Sequence, residues 1–465
     1  MKLGLGAFPR WIAPLALALL AGAVLAGRTG HGELLAPALV VAGAMVLWAT
    51  RALPEHLVAF LFFTACAIGT IAPMPVVLSG FTGPAVWLTI SGAVIGAALR
   101  HTGLADRLAA LLARVARGRF PVVLAKVAVF SAGLMFLMPS AMGRVLLLLP
   151  LLESLANRLG FAAGSRARTG LMLAGVFGTF VPAMAVLPAN VPNNVLAGMM
   201  ESTGIGVPSF SEYLILHFPV LGLGKLALII AILAVMHRDL PPVGTPEAEP
   251  QAEEPAGPLT RPERLLAVLL LLTIGFWFTD VWHGISPAWI GMAATIFCLW
   301  PGAQLMPAQS LRAVGLEPVF YVAGVIGIGS VVNHTGLGRA LGEAITALVP
   351  GPQTWPGFTV LAISGLATAI GLILTVIAIP AILTPLSAGL SAATGLPVMD
   401  IAMAQVIGFS TIFLPYQAPP LAVSIQMGSL PAKAAAKFAF TLATLSVVLL
   451  WPLVIGWWWL LGKLG

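Results

Sequence analysis

From residue 11 onward, long apolar runs alternate with short clusters of glycine, proline and isolated charges. About 20 apolar residues, rising 1.5 Å each in a helix, cross the hydrocarbon layer of a bilayer, so these runs predict membrane-crossing helices. The first, WIAPLALALLAGAVLAG at 11–27, follows Lys2 and Arg10 and reads as an uncleaved first span rather than a signal peptide. One stretch departs from the pattern entirely. HRDLPPVGTPEAEPQAEEPAGPLTRPER, 237–264, is rich in Pro and Glu without apolar periodicity, which predicts a solvated linker. The expected organisation is an N-terminal helix within 1–33, a first unit at 34–236, the linker at 237–263 and a second unit at 264–465.

Two further interruptions fall inside apolar runs. LPANVPN at 187–193 and LPYQAPP at 414–420 place prolines and amides where a helix would otherwise continue. Proline removes a backbone donor and clashes with the preceding turn. In lipid, an uncovered break of that kind strands polar backbone groups. The two segments share the pattern LPx[N/Q]xP at an offset of 227 residues. HTGL recurs at 101–104 and 334–337, offset 233, and WATR at 48–51 is echoed by WFTD at 277–280, offset 229. Three collinear matches at nearly constant spacing predict a duplicated unit.

Composition fits this picture. Of 465 residues, 59% are hydrophobic and only 8% charged, against about 25% charged in soluble proteins. The expected fold is therefore an all-α polytopic membrane protein with about 11 transmembrane helices. The net charge of +7 is read through its loops and not as a nucleic-acid signal. With the N-terminus and the central linker in the cytoplasm of a cell with an inner membrane, 18 of the 23 Lys and Arg fall on the cytoplasmic side. Arg28, Arg339 and Lys463 fall outside, and Arg144 and Lys225 lie within apolar segments. This obeys the positive-inside rule only if segments near 121–158 and 355–394 enter and leave on one side, as re-entrant hairpins. The second unit is then an inverted copy of the first, with broken helices expected near 168–200 and 398–428. Cys66 and Cys298 sit in separate apolar runs with no CxxC or Cys/His cluster, so neither a disulfide framework nor a metal site is expected.

The chain resembles the divalent anion/sodium symporter family of the ion transporter superfamily, from about Ala44 to Gly428. The resemblance lies in WATRALPEHLVAF (48–60), FTGPAVWLTISGAVIGAALRHTGLADRLA (81–109), LPANVPNNVLAG (187–198) and LPYQAPPLAV (414–423). It implies a homodimer in which a framework supports an elevator-like moving domain. That family carries a Ser-Asn-Thr triplet at each hairpin tip. Here the aligned positions are Ser140-Ala141-Met142 and Thr375-Val376-Ile377, so both asparagines are replaced.

Several polar groups converge on the predicted crossing of hairpin tips and breaks. Unwound carbonyls and oxygen-bearing side chains suit sodium, and half-helix N-termini suit anions. The expected substrate-binding set is Ser140, Ala141, Met142, Arg144, Asn190, Pro192, Asn193, Asn194, Thr375, Val376, Tyr416, Gln417, Pro419 and Pro420. Sodium, the one coupling ion expected, would use Ser140, Asn190, Thr375, Gln417 and Ala418. Proline kinks that merely adapt packing would not need the amides. Arg144 lies near a helix N-terminus inside FLMPSAMGRVLLLLPLL, where the dipole and the burial of charge both oppose it. Two roles fit: a fork that clamps the substrate's anionic group, or a fixed charge that replaces one sodium. The bland alternative is an arginine that snorkels or pairs with Glu153. Lys225 is expected to snorkel or to mark an irregular helix of the framework, and His101 and His334 to belong to helix-end turns.

The function expected is secondary active transport of a small anion, such as a di- or tricarboxylate or sulfate, by an elevator mechanism coupled to sodium. Alternatives are a sodium-independent exchanger, a proton-coupled symporter, or a cation/proton antiporter using Glu153 or Asp280. An enzyme is not expected, for want of HExxH, GxSxG or an acid pair. A nucleotide-driven pump is excluded by the lack of a P-loop.

Overall fold

The computed structural model describes residues 11–30, 34–50, 52–241, 257–307, 314–338, 340–341, 351–427 and 430–464. Residues 242–256 of the expected linker and residue 428 of the second broken helix lie outside the described residues. So do Lys2, Arg10, Arg51, Arg312 and Arg339 of the charge pattern. Among the described residues every regular element is helical and none is a strand. The chain is an all-α polytopic membrane protein.

Among the described residues six helices are long and apolar enough to cross a bilayer: Ile12–Thr29, Phe120–Leu137, Arg166–Ala185, Phe210–Met236, Pro356–Ile373 and Ala432–Leu460. A seventh candidate is the pair Ala378–Thr394 and Val398–Phe409, bent by 119°. Others fall short of the length. Leu35–Trp48, Glu55–Gly69 and Pro287–Leu299 are apolar but brief, and a 15-residue helix reaches only about 22 Å of a core about 30 Å thick. Arg261–Phe278 opens on charge, with Thr260 and Glu263 forming a reciprocal cap.

Two helix–tip–helix segments and two broken helices organise the interior. Phe120–Leu137 turns through 138–140 into Ala141–Arg158. Arg166–Phe180 stops before Pro182, passes through two short 3-10 turns and resumes as Val191–Ser202. In the second unit, Pro356–Ile373 turns into Ala378–Leu383 and Ser387–Thr394. Val398–Phe409 stops, and the chain resumes as Pro419–Gln426. Each break holds three prolines, Pro182, Pro188 and Pro192 in one, Pro415, Pro419 and Pro420 in the other. Missing N–H groups leave the preceding helix's last carbonyls without intrahelical partners.

In each unit the broken helix lies close against the outer arm of its hairpin, and a glycine permits the approach. A Cβ at Gly178 would come within 2.8 Å of the Ala128 carbonyl oxygen; one at Gly408 would meet the Ala367 Cβ and the Ser364 carbonyl. These glycines are 230 residues apart. A separate group of helices, Ile12–Thr29, Leu35–Thr50, Glu55–Gly69 and Glu317–His334, packs together, while Pro84–His101 packs on Pro287–Leu299. Pro84–His101 and Glu317–His334 both end at HTGL turns whose glycines are left-handed, Gly103 at φ 82° and Gly336 at φ 75°. His101 and His334 are exposed there, which fits a terminating turn.

Candidate functional site

The first hairpin tip and the first break are joined by one side chain. Arg144 lies one turn into Ala141–Arg158, a helix whose start is capped by the Ser140 hydroxyl accepting from Gly143 N at 3.1 Å. It is 0% exposed. Its Nε donates to Thr179 Oγ1 at 3.1 Å, and its Nη1 to the carbonyls of Met138 and, at 3.0 Å, Ala189. Its Nη2 donates to the Thr179 carbonyl at 3.2 Å and to Asn190 Oδ1 at 3.4 Å. A guanidinium has five N–H donors, and these bonds engage five. In this arrangement no donor remains to grip a substrate. Neither snorkelling nor pairing with Glu153 describes it.

Thr179 and Met138 were not singled out from the sequence. Thr179 is a lone hydroxyl next to the proline break, which was the available signal. Asn190 reinforces the junction by donating Nδ2 to the Phe180 carbonyl at 3.2 Å. Asn193 donates to the carbonyls of Val186 at 2.8 Å and Ala183 at 3.3 Å, closing the 3-10 turns. The Oδ1 atoms of Asn193 and Asn194 are buried and have no partner among the described residues. Both lie in the first turn of Val191–Ser202, beside Pro192, where the helix presents its positive end.

The second unit distributes the same task. Val376 N, at the second tip, donates to the Gln417 carbonyl at 2.9 Å. Gln417 Oε1 accepts from Leu414 N at 2.7 Å, and the Tyr416 hydroxyl donates to the Leu372 carbonyl. Thr375, Gln417 and Ala418 are buried, whereas Tyr416 is 37% exposed. Pro419 and Pro420 open the resuming helix, where a missing N–H costs nothing. On the other side of this break, Lys225 donates to the Ser410 carbonyl and, at 2.8 Å, to Ser410 Oγ. At 1% exposure it does not snorkel. It follows the π-helical segment Phe218–Gly224, which redirects it inward. A second π-helical segment, Ser446–Leu450, lies at the matching place of the last helix.

The two units interlock. Val191–Ser202 packs on Ala378–Leu383 and Val398–Phe409, while Pro419–Gln426 packs on Ala141–Arg158 and Arg166–Phe180. Phe177 and Val181 from the first broken helix share a cavity with Ser410, Thr411 and Ile412 from the second, closed by Leu442, Ala443 and Ser446. Its volume of ≈ 10 Å³ is room for about one water. Within the second unit a polar relay runs Thr384 Oγ1 to Gln405 Oε1 at 3.2 Å and Gln405 Nε2 to Ser387 Oγ at 3.3 Å. Asp280 is 3% exposed and serves a helix end. It accepts from Phe210 N and Ser211 N, capping the helix Phe210–His217. No group of three metal-ligating side chains occurs among the described residues.

Comparison with known proteins completes the picture. An "Uncharacterized transporter" of Haemophilus influenzae is 23% identical over 87% of this chain and 88% of its own length. A "Membrane protein" of Cupriavidus necator is 23% identical over 66% of this chain and 63% of its own. The "Uncharacterized transporter YfbS" of Escherichia coli K12 is 30% identical over 44% of this chain. The chain thus spans 63% and 32% of the lengths of the last two relatives. A sequence model described as "Citrate transporter" matches residues 45–408, which takes in both hairpins, the first break and the helix leading into the second. A multi-pass helical protein with paired proline breaks, matched over most of its length, belongs to the citrate transporter family.

Proposed function

We propose that this membrane transporter carries a small organic anion of the di- or tricarboxylate class by alternating access. The observation that supports this best is the Asn193–Asn194 pair. Two buried amides with unused capacity sit at the positive end of a helix that restarts inside the membrane. A carboxylate there would meet the amide N–H of Asn194, since Asn193 Nδ2 already donates to the Val186 and Ala183 carbonyls. The start of Ala141–Arg158, with Ser140, Ala141 and Met142, offers a second helix N-terminus, tied through Arg144 to Ala189 and Asn190, and Pro419–Gln426 packs on that helix. Thr375 adds a hydroxyl from the second tip. Hairpins and broken helices would move together as the elevator, against a framework built from Ile12–Gly69, Pro84–His101, Pro287–Leu299 and Glu317–His334, in a homodimer whose N-terminus and linker are cytoplasmic.

Uptake of citrate, dicarboxylates and sulfate into proteoliposomes tests the proposal. Saturable uptake of at least one carboxylate is expected, and Asn194→Ala should raise its KM about tenfold, the loss of one charged hydrogen bond of roughly 1.5 kcal/mol, with the melting temperature held. Unchanged KM in a folded Asn194→Ala protein would remove the amide pair from the site.

A further inference from the structure

The sodium expected at Ser140 and Asn190 would sit between the first hairpin tip and the first break. The oxygens that would hold it are present. Carbonyls of Met138, Thr179 and Ala189, the Thr179 hydroxyl and Asn190 Oδ1 form the all-oxygen set that a hard cation selects. All five instead accept from one guanidinium. None is a carboxylate, so no partner neutralises Arg144; carbonyl dipoles do, among them those at the negative end of Arg166–Phe180. Sodium and guanidinium carry the same single charge and cannot share these oxygens. The residues present therefore do not fit a sodium ion in the first unit.

We infer that Arg144 is a tethered cation standing where the first unit's coupling sodium would sit. It holds hairpin tip and break together permanently, and the unit closes without binding sodium. A gradient does work only through an ion that is taken up on one side and released on the other. A charge fixed to the chain returns with the empty carrier and draws nothing from a sodium gradient. Any sodium coupling is then confined to the second unit, where Gln417 O accepts from Val376 N and Lys225, the cation at that break, reaches Ser410 on its other side. The inference deepens the transport reading given above, but its test does not require transport.

The experiment compares melting temperatures of wild type, Arg144→Ser and Arg144→Lys in detergent, in sodium chloride and in choline chloride of equal ionic strength. Removing the guanidinium empties the oxygen cage. Arg144→Ser is expected to melt lower in choline and to regain about 3–6 °C in saturating sodium beyond any wild-type response, and to regain stability in low millimolar guanidinium as well. Arg144→Lys, which keeps a tethered charge, is expected to show no such gain. An equal sodium response in wild type and Arg144→Ser would overturn the inference. Should Arg144→Ser fail to fold, sodium-22 binding to the wild type decides: saturable binding abolished by Asn190→Ala overturns it, and no binding sensitive to that change upholds it. Sodium responses as expected, with no uptake of any anion tested, would uphold the tethered cation and sink the carboxylate reading.

Discussion

Two helix breaks pose one physical problem in this molecule and receive two answers. Each leaves terminal carbonyls in an apolar interior, where an unmet acceptor is expensive. In the first unit a single buried guanidinium spans the hairpin tip and both sides of the break. In the second, Lys225 serves one side through Ser410, and Val376 N and the Tyr416 hydroxyl attach the other to the hairpin. The first junction rests on one side chain, with Asn190 on the Phe180 carbonyl as its reinforcement. The second consists of separate bonds, one of them on a half-exposed tyrosine, and each can open alone. The difference assigns rigidity to the first unit and adjustability to the second.

Removing Arg144 breaks the comparison most severely. Arg144→Met fills part of the space but strands up to five buried oxygens, each costing about 1–3 kcal/mol if unmet. A loss of at least about 3 kcal/mol is expected, read as a collapse of the monodisperse peak on heating in size-exclusion chromatography. Lys225→Met strands the Ser410 carbonyl alone, since the Ser410 hydroxyl keeps its bond to the Ile407 carbonyl, so about 1–3 kcal/mol is expected. If Lys225→Met proves as damaging as Arg144→Met, the second junction is not distributed. Tyr416→Phe removes one partly exposed hydrogen bond and should cost no more than about 1 kcal/mol, while amide exchange over 410–418 rises and that over 181–190 does not. The smallest effect lies outside both junctions. The Arg166–Asp239 ion pair, at 2.7 Å between exposed side chains, holds the Asp239 carboxyl below its ordinary value through the Arg166 hydrogen bond. A depressed folded-state value stabilises above the unfolded value of about 3.9 and is lost as pH falls through the folded one. Asp239→Asn should therefore melt only slightly below wild type at pH 7, and the gap should vanish in acid.

Much of the site was legible along the chain. Prolines within apolar runs mark a break because the missing donor acts locally, so LPANVPN and LPYQAPP could be read without coordinates. The resemblance pointed to the citrate transporter family's wider superfamily. Arg144 stood out because charge is rare at such depth, but its role was open between clamp and cation. Lys225 reads from the sequence as a snorkelling lysine or as the mark of an irregular helix, and the π-helical segment just before it bears out the second. Asp280 is legible only as a carboxylate near a span end, and the fold alone sets beside it the start of Phe210–His217, whose N–H groups it accepts.

The chain alone determined that this protein is helical, crosses the membrane many times and interrupts its helices twice, because hydropathy, length and missing donors are properties of neighbours in sequence. Only the folded structure decided what meets the stranded carbonyls. Arg144 and Thr179 are 35 residues apart, and Lys225 and Ser410 are 185 apart. A hydrogen bond is satisfied by proximity in space, and no local pattern encodes which distant donor will arrive.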